Sequence, residues 1–200
     1  MSEEPTIDTA SRILDAVMQL ILKGGLPAVT LSAVCQHAGI SKGGLIHHFP
    51  NKERLVDAFI ERSTEEYWAL IEHAVAPHRA GRGRRAKAYV DLVLVKPEPD
   101  PDHCEHECLA VMLAFIQSGG QLTIAQHLYA RLTQLLIDDG LTRQSAEMLV
   151  AATDGMWFQS IIEPSDTFQP RVSRVRGQLM KFIDHQFSLS SQRRSPKAKR

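Results

Sequence analysis

The sequence predicts an all-α fold with about nine helices, on three observations. Apolar residues recur at intervals of three and four over most of the chain, which is the spacing of one face of an α-helix. Glycine and proline separate these stretches at distances typical of helices. Runs rich in β-branched residues, such as Leu92–Val95, are too few and too isolated to form a sheet. These patterns together exclude a sheet-based architecture.

Four helices are predicted within the first 76 residues. Each is bounded by a residue type that starts or ends helices, because threonine, serine and asparagine cap N-termini, glycine ends a helix, and proline does not fit a helix interior. The first helix is expected at Thr6–Lys23, before Gly24 and Gly25, and the second from the cap Thr30 to Gly39. Ser41 caps the third helix, and Asn51, which follows Pro50, caps the fourth.

Five further helices are predicted in the remainder of the chain. Their expected ranges are Arg84–Val95, Glu105–Ser118, Leu122–Asp138, Thr142–Ile162 and Gln169–Phe187. The last helix has an apolar stripe, which would pack either inside the chain or against a second copy across a two-fold axis. This stripe consists of Val172, Val175, Leu179, Phe182 and Ile183.

The composition is that of a globular protein, with 44% apolar and 23% charged residues. The longest apolar run, Cys108–Ile116, is far shorter than the roughly 20 residues that span a bilayer, so we expect no membrane partner. The first residues are acidic where a secretory signal is basic and then apolar. Three cysteines, an odd number, do not suggest a disulfide framework. We therefore expect a cytoplasmic protein.

The net charge gives no indication of a polyanionic partner, since lysine plus arginine equals aspartate plus glutamate at 23 each. The local distribution of charge is more informative. Between Ser41 and Arg54 there are three lysines or arginines, two histidines and a single acid, Glu53. A cluster of positive charge at one end of a domain favours contact with nucleic-acid phosphates.

Residues 30–49 have the spacing of a helix-turn-helix. Two helices of about two turns each are joined by Gly39 and Ile40, where glycine permits the sharp turn. The second helix can then enter a DNA major groove. Ser41 and Lys42 at its start, followed by two glycines, offer a hydroxyl, a cation and unobstructed backbone N–H groups. These groups suit phosphate oxygens and base edges.

A longer set of residues is similar to a known family. It comprises Arg12–Ala16, Gly25, Val29–Thr30, Ala38–Gly43, Leu45, His48–Phe49 and Lys52–Leu55. These residues resemble the N-terminal DNA-binding domain of TetR-type (TetR/AcrR) transcriptional regulators, in the first helix and the entry to the fourth as well as in the glycine turn. Two positions depart from the family pattern, which usually has threonine or a similar residue where Gly44 stands and a phosphate-contacting tyrosine where Ile46 stands.

The resemblance implies a homodimer that binds a pseudo-palindromic operator in double-stranded DNA and regulates transcription. It implies a helix-turn-helix domain at residues 1–52 and a larger domain for effector binding and dimerisation at 53–189. The composition of residues 190–200 predicts a disordered basic tail. The residues expected to contact DNA are Thr30, Ser32, Ser41, Lys42, Gly43, Gly44, His47, His48 and Lys52.

The C-terminal domain is expected to bind a small, largely apolar organic effector whose binding releases a repressor from DNA. Small-molecule sites are mostly apolar with a few placed polar groups. The candidate ligand-binding residues, which would serve equally well in a helical core, are Met112, Phe115, Ile116, Tyr129, Trp157 and Phe158. Asp154 and Gly155 interrupt an apolar helix, which indicates either close helix packing or contact with a ligand.

Two alternatives stay open for the function. The first is a metal-sensing regulator, because His103, Cys104, His106 and Cys108 are ligand types of zinc and copper. The second is an effector-free DNA-binding dimer that uses its C-terminal domain only for association. An enzyme is not expected, since the chain has no Gly-x-Ser-x-Gly, no phosphate-binding glycine loop followed by lysine and no His-Glu-x-x-His. No cofactor is implied.

Overall fold

The computed structural model describes residues 8–95, 110, 114, 122–163 and 165–193. All regular structure in these ranges is helical, which confirms the predicted all-α fold. The eight helices are α1 (Thr9–Ala28), α2 (Leu31–Ala38), α3 (Lys42–His48), α4 (Lys52–Val75), α5 (Arg84–Leu94), α6 (Leu122–Asp138), α7 (Arg143–Ile162) and α8 (Ser165–Arg193). None of these described helices combines the length and apolarity needed to cross a bilayer.

The helix predicted at Glu105–Ser118 lies outside the described residues, apart from two positions. Ala110 and Ala114 are both helical and fully buried. The structure therefore describes eight of the nine predicted helices, and only these two residues of the ninth.

Side-chain caps begin four helices; three of them are the predicted caps, and the fourth, Thr142, was predicted as the first residue of its helix. The first backbone N–H groups of a helix have no partner within it, so a capping oxygen stabilises the helix by about 1 kcal/mol. The caps are Thr30 on α2, Ser41 on α3, Asn51 on α4 and Thr142 on α7, with oxygen-to-nitrogen distances of 3.1, 3.1, 2.8 and 3.2 Å.

The limits of α1 and α8 differ most from the predicted ones. α1 was expected to end before Gly24 and Gly25; the backbone is non-helical at both glycines, but one more turn continues to Ala28. α8 begins four residues earlier than Gln169 and ends at Arg193 instead of Phe187, with Pro170 inside the helix. Proline removes one backbone hydrogen bond from a helix, a local cost that the packing of a long helix offsets.

Contacts divide the described chain into two compact units. The N-terminal unit contains residues 8–67, 110, 114 and 122–127, and the C-terminal unit contains 68–95, 128–163 and 165–193. The N-terminal unit thus continues along α4 to Tyr67, whereas the domain limits 1–52 and 53–189 stay a prediction. Residues 190–193 of the predicted tail continue α8, and 194–200 lie outside the described residues.

The core of the N-terminal unit is formed by the inner faces of α1 to α4. Its fully buried members include Ile13, Val17, Ile21, Val34, Leu45, Leu55 and Phe59. Burial of each large apolar side chain contributes about 1.5–3 kcal/mol. Because α2 and α3 are too short to be stable alone, this core holds them in place. Ile124 of α6 also packs against it.

In the C-terminal unit, α8 packs against α5 and α7. Val172, Leu179 and Ile183 of the predicted apolar stripe are buried, and Val175 and Phe182 are partly buried. Of the two explanations for this stripe, packing within the chain therefore accounts for most of its length.

Asp139, between α6 and α7, is a fully buried carboxylate that fixes the start of α5. It accepts hydrogen bonds from the backbone N–H groups of Gly81 at 2.6 Å and Ala86 at 2.9 Å. Gly83, between these donors, has a φ of +68°, and a Cβ at this position would lie 2.2 Å from Ile183. The loop therefore approaches α8 so closely that only glycine fits.

Candidate DNA-binding surface and effector site

The turn between α2 and α3 is held by backbone hydrogen bonds. Gly39 ends α2 with a φ of +63°, in the left-handed region that other residues rarely adopt. The N–H groups of Gly39 and Ile40 both donate to the carbonyl of Cys35. From α1, the guanidinium of Arg12 donates to the carbonyl of Ala38. The orientation of α3 relative to α2 is therefore fixed by α1 as well as by the glycine.

α3 has one buried and one exposed face. Leu45 is fully buried in the core of the N-terminal unit. Lys42, Gly43, Ile46 and His47 are exposed on the other side of the helix. A short helix anchored by its inner face and open on its outer face is the geometry required of a recognition helix in the major groove.

The structure brings the nine predicted DNA-contacting residues together around α2, α3 and the start of α4. The exposed ones are Thr30, Ser32, Ser41, Lys42, Gly43, His47 and His48, and the partly buried ones are Gly44 and Lys52. The hydroxyls of Thr30 and Ser41 act as helix caps. No hydrogen bond or ion pair within the described part of the chain engages the ammonium of Lys42, so it is available to an anion.

Lys52 has a structural contact that the sequence did not indicate. Its ammonium donates to the carbonyl of Leu26 at 2.8 Å, which links the start of α4 to the end of α1. Arg62, further along α4, donates to the carboxylate of Asp15 on α1 at 2.8 Å. These two contacts connect α4 to the helix that also supports the α2–α3 turn.

Ile46 is a surface residue that is absent from the predicted DNA-contacting set. Its side chain is 42% exposed, although isoleucine is usually buried. It follows the fully buried Leu45 directly and lies one helical turn after Lys42. The sequence could have indicated a DNA contact here, because Ile46 is an apolar residue on the outer face of the predicted recognition helix.

In the C-terminal unit, Tyr129 of α6 and Asp154 of α7 form a hydrogen-bonded pair. Burial raises the pKa of the Asp154 carboxyl above its ordinary value, and the Tyr129 hydroxyl partly counteracts that rise by stabilising the ionised form. Burial, followed by the nearby charge of Asp154, raises the pKa of Tyr129. The hydroxyl end of Tyr129 is thus shielded while 46% of the side chain remains exposed.

Two aromatic residues share the face of α7 that contains Asp154. Trp157 and Phe158 follow Asp154 by three and four residues, which places them beside it on the helix. Trp157 is partly buried and Phe158 is 49% exposed. Among the described ion pairs, none involves Asp154. The site therefore combines an aromatic surface with a shielded carboxylate that no described lysine or arginine neutralises.

Several predicted site residues lie outside the described residues. These are Met112, Phe115 and Ile116 of the candidate effector site, and His103, Cys104, His106 and Cys108 of the candidate metal site. Within the described ranges, no group of three histidine, cysteine, aspartate or glutamate side chains is arranged to hold a metal ion.

Gly155 does not have the close intrachain neighbour that helix packing would require. A Cβ at this position would meet no described atom within 4 Å, and the same holds for Gly177 of α8. Close packing within the described chain is therefore not the reason for the glycine. A surface glycine in a helix interior costs about 1 kcal/mol relative to alanine.

Comparisons with known proteins agree with this fold. The family model described as "Bacterial regulatory proteins, tetR family" matches residues 13–59, and "Tetracyclin repressor-like, C-terminal domain" matches residues 83–184. The HTH-type transcriptional regulator BetI of Burkholderia thailandensis is 29% identical over 170 residues, which cover 78% of this chain and 85% of BetI.

Three solved structures share the fold. A transcriptional regulator of Pseudomonas aeruginosa PAO1 aligns with a TM-score of 0.71 at 19% identity, over 88% of this chain and 90% of that one. The multidrug binding protein EbrR complexed with malachite green gives 0.69 at 17% identity, over 88% and 98%. A regulator from Saccharomonospora viridis in complex with choline gives 0.65 at 20% identity, over 88% and 95%.

Helices alone in the described residues, with the second helix of a helix-turn-helix exposed, form the architecture of a DNA-binding transcriptional regulator. With family models matching both its N-terminal and its C-terminal parts, the chain belongs to the TetR family of bacterial regulatory proteins.

Proposed function

We propose that the protein is a homodimeric repressor that binds a pseudo-palindromic operator and is released from it by a small organic effector. The observation that supports operator binding is the outer face of α3, where Lys42, Gly43 and His47 are exposed beside the capped and fixed α2–α3 turn. A two-fold dimer doubles this surface and requires matching half-sites in the DNA.

An apolar stripe on α7 suits contact with a second copy of the chain. Met148, Ala151 and Gly155 are exposed at intervals of three and four residues. Met148 is 47% exposed, and the space beside Gly155 and Gly177 is open among the described residues. Glycine allows two helices to approach closely, so a partner helix packed here gives these glycines a structural reason. Trp157 lies on a different side of α7 from this stripe, whereas Asp154 and Phe158 border it, three residues after Ala151 and Gly155.

The effector is expected to be a largely apolar organic molecule that bears a positive charge. Asp154 is a shielded carboxylate among Tyr129, Trp157 and Phe158. A carboxylate attracts an organic cation, and aromatic faces stabilise that cation through their quadrupoles. The complexes of the structural relatives with malachite green and with choline support this chemistry.

Two helices are suited to transmit effector binding to the recognition helix. α4 and α6 each have residues in both units, since the division falls after Tyr67 in α4 and after His127 in α6. Tyr129 of the effector site follows Ile124, which packs on the core of the N-terminal unit, by five residues. A movement of α6 on effector binding therefore reaches the core that holds α3.

The operator proposal is tested with the purified full-length protein. Binding sites are selected from a pool of random duplexes, and the mass of the free and bound protein is measured by sedimentation. We expect a dimer and a selected sequence with two inverted half-sites on one face of the duplex. A protein that stays monomeric at micromolar concentration, or that enriches no sequence, contradicts the proposal.

The effector proposal is tested with choline and with 3,3-dimethyl-1-butanol, the uncharged analogue in which carbon replaces nitrogen. We expect choline, but not the analogue, to displace the protein from its selected operator. Asp154→Asn should weaken choline binding at least about tenfold, because it removes the negative charge. Asp138→Asn, at the exposed end of α6, is the matched control. Equal binding of the analogue, or an unaffected Asp154→Asn variant, contradicts a cationic effector.

A further inference from the structure

Ile46 is an exposed apolar side chain on a helix whose other exposed side chains are polar. Lys42 and His47 are its neighbours on the outer face of α3, and Leu45 supplies the buried anchor. The water-exposed part of an isoleucine side chain does not contribute hydrophobic free energy to folding. Burial of that surface against a ligand is favourable. The ligand proposed for this helix is the major groove of DNA, so the inference rests on the proposed operator binding.

The glycines before Ile46 increase its reach toward that groove. Gly43 and Gly44 precede it by three and two residues. A Cβ at Gly43 would meet only the Ser41 hydroxyl at 3.9 Å, and one at Gly44 would meet the same atom at 3.4 Å. Packing among the described residues therefore does not require either glycine. Without side chains at these two positions, the first turn of α3 has room to approach base edges closely, and Ile46 is the bulky group on this surface.

The chemistry of isoleucine restricts what it can contact in the groove. It has no donor for a phosphate oxygen and no partner for the polar edges of guanine, cytosine or adenine. The C5-methyl of thymine is the apolar group that the major groove displays. Burial of one methyl group against another is favourable without any directional bond.

We propose that Ile46 determines part of the operator specificity by packing against the C5-methyl of a thymine in each half-site. Lys42, one helical turn before Ile46, and His47, next to it, supply the polar contacts on the same face. The preference is for thymine over cytosine and over uracil, because only thymine has the methyl group at C5.

The experiment replaces thymine by deoxyuridine, one position at a time, in both half-sites of the selected operator. This change removes the methyl group and leaves every hydrogen-bonding group of the base in place. For the wild-type dimer, we expect one thymine position at which the replacement weakens binding about fourfold per half-site and about 15-fold per operator. Ile46→Ala should bind the thymine and uracil duplexes equally at that position.

The matched control is Leu70→Ala, which also shortens an exposed apolar side chain, 46% exposed, but on α4 in the C-terminal unit. It should keep the full sensitivity to the methyl group. An Ile46→Ala variant with the same sensitivity as the wild type overturns the proposal while operator binding stands, as does a wild-type protein that tolerates uracil at every position. If the wild type binds no duplex, operator binding itself fails, and the role of Ile46 fails with it.

Discussion

Two lysines of the candidate DNA-binding surface have different environments, although the sequence predicts a DNA contact for both. Lys42 is exposed at the start of α3, whereas the ammonium of Lys52 donates to the carbonyl of Leu26. A lysine ammonium that donates a hydrogen bond within the chain has fewer N–H donors left for phosphate. Its substitution lowers the stability of the fold as well as the affinity for DNA. The two positions therefore separate electrostatic contact with DNA from support of the domain.

Lys42→Ala should lower the affinity for all duplexes alike if Lys42 contacts phosphate. The logarithm of the binding constant should then depend less steeply on the logarithm of salt concentration, by about 0.9 per subunit, since each neutralised phosphate releases counterions. Binding is measured by fluorescence anisotropy at several salt concentrations, with Arg143→Ala in the C-terminal unit as the control for lost charge. A loss of discrimination at one guanine with an unchanged slope would assign Lys42 to a base instead.

Asp139→Ala should destabilise the C-terminal unit by about 3 kcal/mol, because two backbone N–H groups at the start of α5 lose a charged acceptor in a buried site. The neighbouring Asp138 is exposed, so Asp138→Ala should change the free energy of unfolding by less than about 0.5 kcal/mol. Urea unfolding followed by tryptophan fluorescence is suitable, since Trp68 and Trp157 both belong to this unit. Equal effects of the two changes would contradict the structural role of Asp139.

Binding of an organic cation should weaken on acidification through the pKa of Asp154. Burial raises this pKa from the ordinary value of 3.8, so the carboxyl takes up a proton at a higher pH than an exposed aspartate does. The protonated form has no charge to offer the cation, and affinity is therefore lost as the pH falls through the raised pKa. Choline titrations from pH 7 downward measure this loss. In Asp154→Asn the same pH series should be flat, and a parallel decline there would place the titrating group elsewhere.

At the scale of the element, α3 is a seven-residue helix with two glycines, which disfavour helix formation. Its order depends on the Ser41 cap, on burial of Leu45 and on the hydrogen-bonded turn before it. The low intrinsic stability of α3 is consistent with selection for close approach to DNA rather than for the fold. Stability and function therefore make opposite demands on Gly43.

Gly43→Ala should stabilise α3 and weaken operator binding. Alanine gains about 1 kcal/mol in helix propensity, and its methyl fits because the nearest described atom, the Ser41 hydroxyl, is 3.9 Å away. Amide hydrogen exchange in α3 should slow about fivefold. The same methyl group occupies space at the exposed face, so the operator affinity should fall. If the variant is more protected from exchange and still binds DNA as tightly as the wild type, space for close approach to DNA is not the reason for the glycine.

At the scale of the whole molecule, the effector must favour one of two shapes of the dimer to alter operator binding. α4 and α6, which each have residues in both units, are the elements through which we expect this coupling. The coupling free energy is expected at about 1–3 kcal/mol, which changes affinity about 5- to 150-fold.

Saturating operator DNA should weaken choline binding by the same factor by which saturating choline weakens operator binding. Calorimetry of choline binding with and without the selected duplex measures the first factor, and anisotropy measures the second. Trp157→Ala should lower choline affinity and leave DNA binding without choline nearly unchanged. Choline that binds with an affinity independent of the duplex would be uncoupled from regulation, and a Trp157→Ala variant that loses DNA binding would place Trp157 in the structural core.

The sequence alone determined the helical class of the fold and the starting points of α2, α3, α4 and α7. Thr30, Ser41, Asn51 and Thr142 cap the helices that the pattern indicates, because capping depends on hydrogen bonds between residues two or three positions apart. The helix-turn-helix was likewise predictable, since Gly39 and its neighbours interact locally. Such contacts have a fixed spacing along the chain and leave a pattern that can be recognised without coordinates.

Tertiary structure alone decided which side chains meet across long separations in the chain. Asp139 is buried and its neighbour Asp138 is exposed; Lys52 contacts a carbonyl 26 residues away; and Tyr129 pairs with Asp154 from another helix. Likewise, the open space beside Gly155 and the exposure of Ile46 depend on how whole helices pack. The physical reason is that burial and pairing are set by the complete arrangement of helices, so residues of one type and similar local sequence acquire different environments.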